Sequence, residues 1–353
     1  MKKNQKHIRY WILGILFVIV LLLKLIPGGN TFYAHKIYPV VGTILSNFSS
    51  LFPFAVSDFF VIASIVWLIG YPVYAFIKHL SWKQVLIKMG AFLALLFVWF
   101  YWAWGLNYGQ DNYYQRTHTR PVQYDEEIFR DFIDRYIQSL NENYVKIAET
   151  DENVIRQSVM DAYSKFGFNR ISNNHPKVKT MLYTPLASMV GVTGSMAPFF
   201  VEFTLNGDLL PHQYAATYAH EYAHLQGITS EREASFYAYL TTTRSENQAI
   251  RFSGYYSVLS YVLRNARQLL GTDSYGDMIK RIRPEIRDLY DADYAYWRAK
   301  YSEFIGKAQD HLFDFYLKSN KEPSGRKSYS EVIGLIISYE INNKELCIQE
   351  KNK

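Results

Sequence analysis

The sequence predicts an α-helical membrane anchor of three transmembrane helices, residues 1–108, followed by a helix-rich α+β extracytoplasmic domain, residues 109–353. Three observations predict it. The long aliphatic runs are confined to the first third of the chain; Lys and Arg gather beside those runs; and the remainder carries helical apolar spacing interrupted by one stretch of period two. A hydrophobic share of 49% in 353 residues leaves ample material for a core and excludes a disordered or collagen-like chain. The single Cys347 excludes an internal disulfide scaffold and by itself sets no redox compartment. The net charge of +6 is modest and is read as membrane topology; no nucleic-acid partner is expected.

Three segments reach the length of about 20 mostly apolar residues that a bilayer requires. The first spans 10–26, with Lys24 close enough to its end to snorkel. It lacks a small-x-small cleavage pattern before Pro27-Gly28-Gly29-Asn30, so an uncleaved anchor is expected. The second spans 59–77 without charge and tolerates Pro72; the third spans 89–108 and is rich in Trp99, Trp102 and Trp104. Lys2, Lys3, Lys6 and Arg9 precede the first span, and Lys78, Lys83 and Lys88 lie between the second and third. The positive-inside rule makes both clusters cytoplasmic and puts everything after Tyr108 outside the cytoplasmic membrane of a bacterium. The connection Thr31–Ser57, with Phe48, Leu51, Phe52 and Phe54, reads as an interfacial segment on the bilayer. Val332–Ser338 is too short to span and reads as a packed terminal helix.

Beyond the spans, Ile128, Phe129, Phe132, Ile133, Tyr136, Ile137 and Leu140 recur at helical spacing within Asp125–Glu149, and a second helix is expected over Val154–Phe166. Pro176 opens a strand over Lys177–Thr184, and Gly191-Val192-Thr193-Gly194 reads as a turn. The run Phe199–Leu205 alternates with period two and closes at Asn206-Gly207, which predicts a second strand. Pro211 suits the first turn of a helix ending at Gln226, with Gly227 as its left-handed cap. Helical spacing resumes from Ser230 to Leu240 and over Tyr255–Leu270, Met278–Tyr290 and Asp293–Leu317.

The chemistry is concentrated in His220-Glu221-Tyr222-Ala223-His224, an HExxH motif. Spacing of i and i+4 sets both imidazoles on one helical face, where two nitrogens reach one zinc ion, while Glu221 points beside the metal and suits a general base. A zinc with three protein ligands keeps an open position for water. Gly227 extends the motif to HExxHxxG, but Ser230 stands where a metzincin needs His or Asp, so a carboxylate from the next helix is expected as third ligand. Glu233 is the choice and Glu231 the alternative; Ser230-x-x-Glu233 is equally a capping box, which would use Glu233 on a backbone N–H instead. The strand before the motif would bind an extended peptide by backbone pairing, with Glu202 and Asn206 orienting it. For each there is also a plain structural role, a solvated Glu and a hairpin Asn-Gly. Tyr255, Tyr256, Arg251 and Arg244 are candidate donors to a developing oxyanion, and His212 is read as a helix-start residue. The helix Gln213–Ala219 is too polar and short to span, which places this site outside the bilayer.

From Gly191 to Leu240 the run Gly-x-x-Gly-x-x-Ala-Pro-Phe-x-x-Glu-x-x-x-Asn, then HExxHxxG, then Glu-x-Glu-Ala-x-Phe-x-x-Tyr-Leu, resembles a domain-of-unknown-function family of bacterial multi-pass membrane proteins. The resemblance implies a gluzincin-like, zincin-type peptidase, with His220, His224 and Glu233 matching the metal positions and Glu221 the base. Phe200-Val201 stand where that family more often has small residues, which implies a narrower substrate cleft. The function expected is a membrane-anchored zinc metallopeptidase acting on envelope proteins or peptides. The alternative is a zinc-binding envelope sensor, which would need the histidines but not Glu221.

Overall fold

The computed structural model describes residues 2–149, 151–168, 170–172, 178–320 and 331–351. It is helix-rich with one small sheet, and it divides into two compact units. The first comprises Met1–Gln110, Arg170–Leu182 and Met196–Thr204; the second comprises Asp111–Asn169, Tyr183–Ser195 and Leu205–Lys353.

In the first unit, α1 (Lys2–Leu25) is followed by the short α2 (Gly29–Phe32), a π-helical turn (Tyr33–Ile37) and α3 (Tyr38–Ser49). Two long helices follow, α4 (Val56–Ile77) and α5 (Trp82–Ala103). Ile8–Leu25, Val56–Ile77 and Trp82–Ala103 are long and apolar enough to cross a bilayer, which associates the chain with a membrane. The third starts earlier than 89 because Val85, Leu86 and Ile87 extend its apolar run, and it stops at Ala103 because a 3-10 turn, Gly105–Gly109, breaks it. Gly105 fits tightly there, since a β-carbon on it would meet the Phe100 ring at 2.5 Å.

The connection after α1 is more packed than a purely interfacial segment. Tyr33 and Tyr38 are fully buried, and Tyr33 donates its hydroxyl to the Trp102 carbonyl. Along α3 and the turn after it, Val40, Ile44, Phe48 and Leu51, at i, i+4, i+8 and i+11, form an exposed apolar stripe.

Two later segments return to this unit. Phe199 and Phe200 pack against Phe60, Phe100, Trp99 and Phe48, and Trp99 donates its indole N–H to the Phe199 carbonyl. Of the two bulky residues expected to narrow a cleft, Phe200 is therefore an aromatic anchor, and the strand predicted from Phe199 begins only at Glu202. The chain enters it through Val201, a fully buried β-branched residue at φ 47°, a left-handed conformation that such residues rarely adopt.

The sheet has three strands, β1 (Lys179–Thr180), β2 (Gly194–Ala197) and β3 (Glu202–Leu205), in the order β1-β3-β2. Pro176 and Lys177, which open the strand expected over Lys177–Thr184, lie outside the described residues. Lys179–Thr180 alone of its described part is strand, and Thr184 already begins a helix with Pro185 in its first turn. All four residues of β3 are buried, as befits a central strand.

In the second unit come α6 (Tyr113–Thr117), α7 (Glu126–Asn143), α8 (Glu152–Lys165), α9 (Thr184–Met189), α10 (Pro211–Leu225), α11 (Glu231–Thr243) and α12 (Gln248–Ser257). There follow α13 (Leu259–Leu269), α14 (Thr272–Arg281), α15 (Pro284–Lys300), α16 (Glu303–Ser319) and α17 (Val332–Lys351). Asp125 caps α7 through the Ile128 N–H, and its apolar face, Phe129, Phe132, Ile133, Tyr136, Ile137 and Leu140, is buried. Helices α10, α11 and α12 pack together as the centre of this unit, and α17 joins them through Val332, Ile333, Leu335, Ile336 and Ile337. The three stretches expected as single helices are each broken: Val258 separates α12 from α13, Pro284, which cannot donate to a preceding turn, starts α15 afresh, and Tyr301-Ser302 separates α15 from α16.

Candidate metal centre

Helix α10 begins on Pro211, whose missing N–H costs nothing in a first turn. It ends on Gly227 at φ 88°, with the Gly227 N–H on the His224 carbonyl and the Ile228 N–H on the Ala223 carbonyl. That left-handed cap turns the chain back sharply. Behind the helix, Tyr163 of α8 donates its hydroxyl to the Ala219 carbonyl, and the Ser253 hydroxyl of α12 accepts the Ala216 N–H. The last turns of α10 are thus held on two sides.

His220 and His224 lie one turn apart, and their Nε2 atoms approach to 3.1 Å. Glu231 Oε2 closes the triangle, 3.1 Å from His220 Nε2 and 3.3 Å from His224 Nε2. Among the described residues this is the one group of His, Cys, Asp or Glu side chains arranged to hold a metal ion. Ligand atoms about 2.0–2.2 Å from a tetrahedral zinc are separated by roughly 3.3–3.6 Å, so the three atoms span nearly the right triangle.

The opposite ring nitrogens decide which atoms face inward. His224 Nδ1 donates to the Ile228 carbonyl at 2.6 Å, and a carbonyl can only accept, so Nδ1 holds a proton and neutral His224 presents its Nε2 lone pair to the triangle. His220 Nδ1 lies 3.2 Å from the Ser235 hydroxyl, which is able to accept in the same way. Three lone-pair atoms at this spacing repel unless a cation sits among them. Without a metal, protons fill that need. Burial pushes His224 down, but the Glu231 carboxylate outweighs it and lifts the imidazole to about 9. Glu231 is held well below the usual carboxylate range, where the attraction of both histidines overcomes the cost of burial.

Glu221 is also buried, and its Oε2 has no hydrogen-bond partner among the described residues. Burial pushes its carboxyl up, against the lowering pull of His220 and His224. Gly194, at the start of β2, lies against it: a β-carbon there would stand 2.5 Å from Glu221 Oε1 and 2.6 Å from its Cγ. β2 is an edge strand, whereas β3 is paired on both sides. The expectation that Phe199–Leu205 is the strand open to an extended ligand is therefore revised in favour of β2, because a central strand has no free backbone edge.

The third-ligand expectation is revised as well. Glu233 is turned away from the histidines: its Oε2 accepts from Arg116 Nη2 at 2.5 Å and its Oε1 from the Tyr113 N–H at 2.8 Å, and both members of the ion pair are buried. Two residues along a helix rotate a side chain by about 200°, so Glu231 and Glu233 face opposite sides of α11. Nor does Glu233 complete a capping box, since Ser230 makes no side-chain cap and its hydroxyl is buried without a partner among the described residues.

Glu202 is not a substrate-facing residue either. One carboxylate oxygen accepts the Ser57 N–H at 2.7 Å and the other pairs with Lys179, all inside the first unit. Asn206 is spent on its own turn: its Nδ2 donates to the Val192 carbonyl at 2.7 Å and its Oδ1 accepts the Asp208 N–H at 2.8 Å. Of the expected oxyanion donors, Tyr256 donates to Asp293, Arg244 to the Tyr339 hydroxyl, and Arg251 to Asn143 and the Ser245 and Glu246 carbonyls; Tyr255 packs its ring against Tyr136 and Tyr239. His212, in the first turn of α10, pairs with Asp293 at 2.7 Å. A residue that sequence reasoning passed over is Tyr261 of α13. Burial, and after it the charge of Glu231, pushes its phenol up to about 12, which keeps it protonated. With 30 tyrosines in the chain, no sequence signal marks it out.

No curated protein and no solved structure matches the chain. A family profile described as "Protein of unknown function (DUF3810)" covers residues 33–337, a span that includes two of the three apolar helices and the whole His–His–Glu triangle, and the chain belongs to that family.

Proposed function

We propose that this protein is a membrane-anchored zinc metallopeptidase, a hydrolase with a zincin-like catalytic domain, acting on envelope proteins or peptides. The observation that carries the reading is the convergence of His220 Nε2, His224 Nε2 and Glu231 Oε2 beside a buried carboxylate, Glu221, with one uncommitted oxygen. Two His and one carboxylate with room for a further ligand favour zinc among the divalent ions. When bound, zinc supplies a water made acidic enough to lose its proton near neutral pH and a Lewis acid for a carbonyl.

The chain's own residues do the rest. Glu221 accepts a proton from the attacking water and returns it to the nitrogen of the scissile amide, so that the C–N bond breaks and an amine and a carboxylate leave. A raised carboxyl affinity for protons suits both transfers. The free edge of β2 offers backbone groups to an extended peptide at its Gly194 end, which is where Glu221 waits. The positive clusters before the first apolar helix and between the second and third support an extracytoplasmic domain on the cytoplasmic membrane of a bacterium.

The test uses the full chain in detergent, loaded with zinc, against a peptide mixture read by mass spectrometry. Wild type is expected to cleave, and Glu221→Gln to lose about 10²–10⁴-fold in rate with its zinc content unchanged. A zinc-loaded wild type that cleaves nothing, or a Glu221→Gln that cleaves at the wild-type rate, sinks the peptidase; the first result favours the zinc-binding sensor. Gly194→Ala probes the same carboxylate from the strand side. Its methyl must displace Glu221, so kcat is expected to fall by about 100-fold with zinc retained, and an unchanged kcat would show that the contact does not matter.

A further inference from the structure

Helix α16 carries an apolar face that nothing among the described residues covers. Phe304, Ala308, Leu312 and Phe315 recur at i, i+4, i+8 and i+11 and form one stripe, with Ile305 at its border. Phe304 is 86% exposed, and Leu312 and Phe315 are each 70% exposed. The buried residues, Gly306 and Leu317, lie on the other side of the helix, so the stripe is not a misassigned core face.

We propose that α16 is a bilayer-docking helix, which lies in the membrane interface with Phe304, Leu312 and Phe315 among the acyl chains. Three observations select lipid as the occupant. The chain itself carries three helices able to cross a bilayer, so a membrane is tethered to this helix at high effective concentration and even a short stripe suffices. The first unit, which holds those three helices, carries a stripe of identical spacing, Val40, Ile44, Phe48 and Leu51, exposed along α3 and the turn that follows it. Finally, the sequence after α16 is basic, with Lys321, Arg326 and Lys327 against a single Glu322, which complements anionic headgroups. The helix body adds no such attraction, because Lys307 and Lys318 are matched by Glu303 and Asp314 one turn away and Asp310 is acidic. Apolar insertion holds the helix. This inference is independent of the chemistry at Glu221.

The full chain in a Cys347→Ser background, with Leu312→Cys or Glu303→Cys carrying an environment-sensitive fluorophore, is reconstituted in vesicles of zwitterionic and anionic phospholipid. Brominated acyl chains are expected to quench the label at 312 at least twofold and to leave the label at 303, an exposed position off the stripe, nearly unchanged. Adding Phe304→Glu and Phe315→Glu to the 312-labelled chain should abolish the quenching, and because both side chains are exposed the fold should tolerate the change. Equal quenching at 312 and 303, or none at either, overturns the proposal. So does efficient crosslinking between two unlabelled Leu312→Cys chains through their introduced thiols, without lipid quenching of the labelled ones, which would make a second copy of this chain the occupant.

Discussion

Glu231→Ala is expected to lose zinc, and Glu233→Ala to keep it. In the first variant the triangle is reduced to two imidazole nitrogens 3.1 Å apart, and the anionic ligand that offsets the ion's charge is gone. The affinity loss should exceed the roughly 10–100-fold that removal of an outer hydrogen-bond partner costs. Elemental analysis after dialysis against a weak chelator should read near one zinc per chain in wild type and near none in Glu231→Ala. The second variant touches no inward-facing atom. It deprives Arg116 of its carboxylate partner in a site where the guanidinium is only 9% exposed, and it orphans the Tyr113 N–H. Its expected defect is therefore in stability, about 3–5 kcal/mol, which is the usual cost of leaving one member of a buried pair alone. The reverse outcome, zinc lost from Glu233→Ala at unchanged stability and kept by Glu231→Ala, would overturn the assignment of the third ligand.

That contrast also marks where sequence reasoning reaches its limit. The histidine pair is legible because its geometry is local: i and i+4 on a helix meet whatever surrounds them. The choice between two glutamates two residues apart depends on the rotational phase of α11 relative to α10. The turn at Gly227 sets that phase, and it brings Glu231 and Ser235, one turn apart on α11, to the imidazoles while Glu233 faces away. Glu233 is further claimed by Arg116, more than a hundred residues earlier, and no short-range pattern announces such a partner. The long apolar helices are legible for the opposite reason, since hydropathy summed over some 20 residues needs no partner at all.

The sheet was harder to read. Phe199–Leu205 alternates as a strand should, yet Phe199 and Phe200 are drawn off by Phe60 and Trp99, and only Glu202–Leu205 pairs. Gly194-Ser195-Met196-Ala197 carries no period-two signature; it is a strand because β3 provides a hydrogen-bonding edge beside it. The strand closest to Glu221 is consequently the one whose own sequence least declares it.

Lys179→Met should unfold the first unit's inner joint. The Lys179 ammonium is 2% exposed and its partner Glu202 is 3% exposed, so neither charge has water to fall back on. Lys179 also donates to the Ser49 carbonyl at the end of α3, while Glu202 accepts the Ser57 N–H in the first turn of α4. The pair therefore gathers the end of one helix, the start of an apolar helix long enough to cross a bilayer and the strand β3 around two opposite charges. Removing the ammonium leaves a buried carboxylate facing Asp58, itself buried and engaged by the Leu182 N–H, at an expected cost of about 3–5 kcal/mol. In a chain of 353 residues that corresponds to a fall in unfolding temperature of about 4–7 °C, measurable by thermal denaturation of the detergent-solubilised protein. Glu202→Gln in the Lys179→Met background should restore most of the loss. A neutral amide ends the charge imbalance and its oxygen still accepts from Ser57, whereas Glu202→Leu in the same background should restore less because the Ser57 N–H is then orphaned. If Lys179→Met melts within a degree or two of wild type, the two charges are not confined together in the folded protein and the joint must be held by the aromatic packing of Phe199 and Phe200 alone.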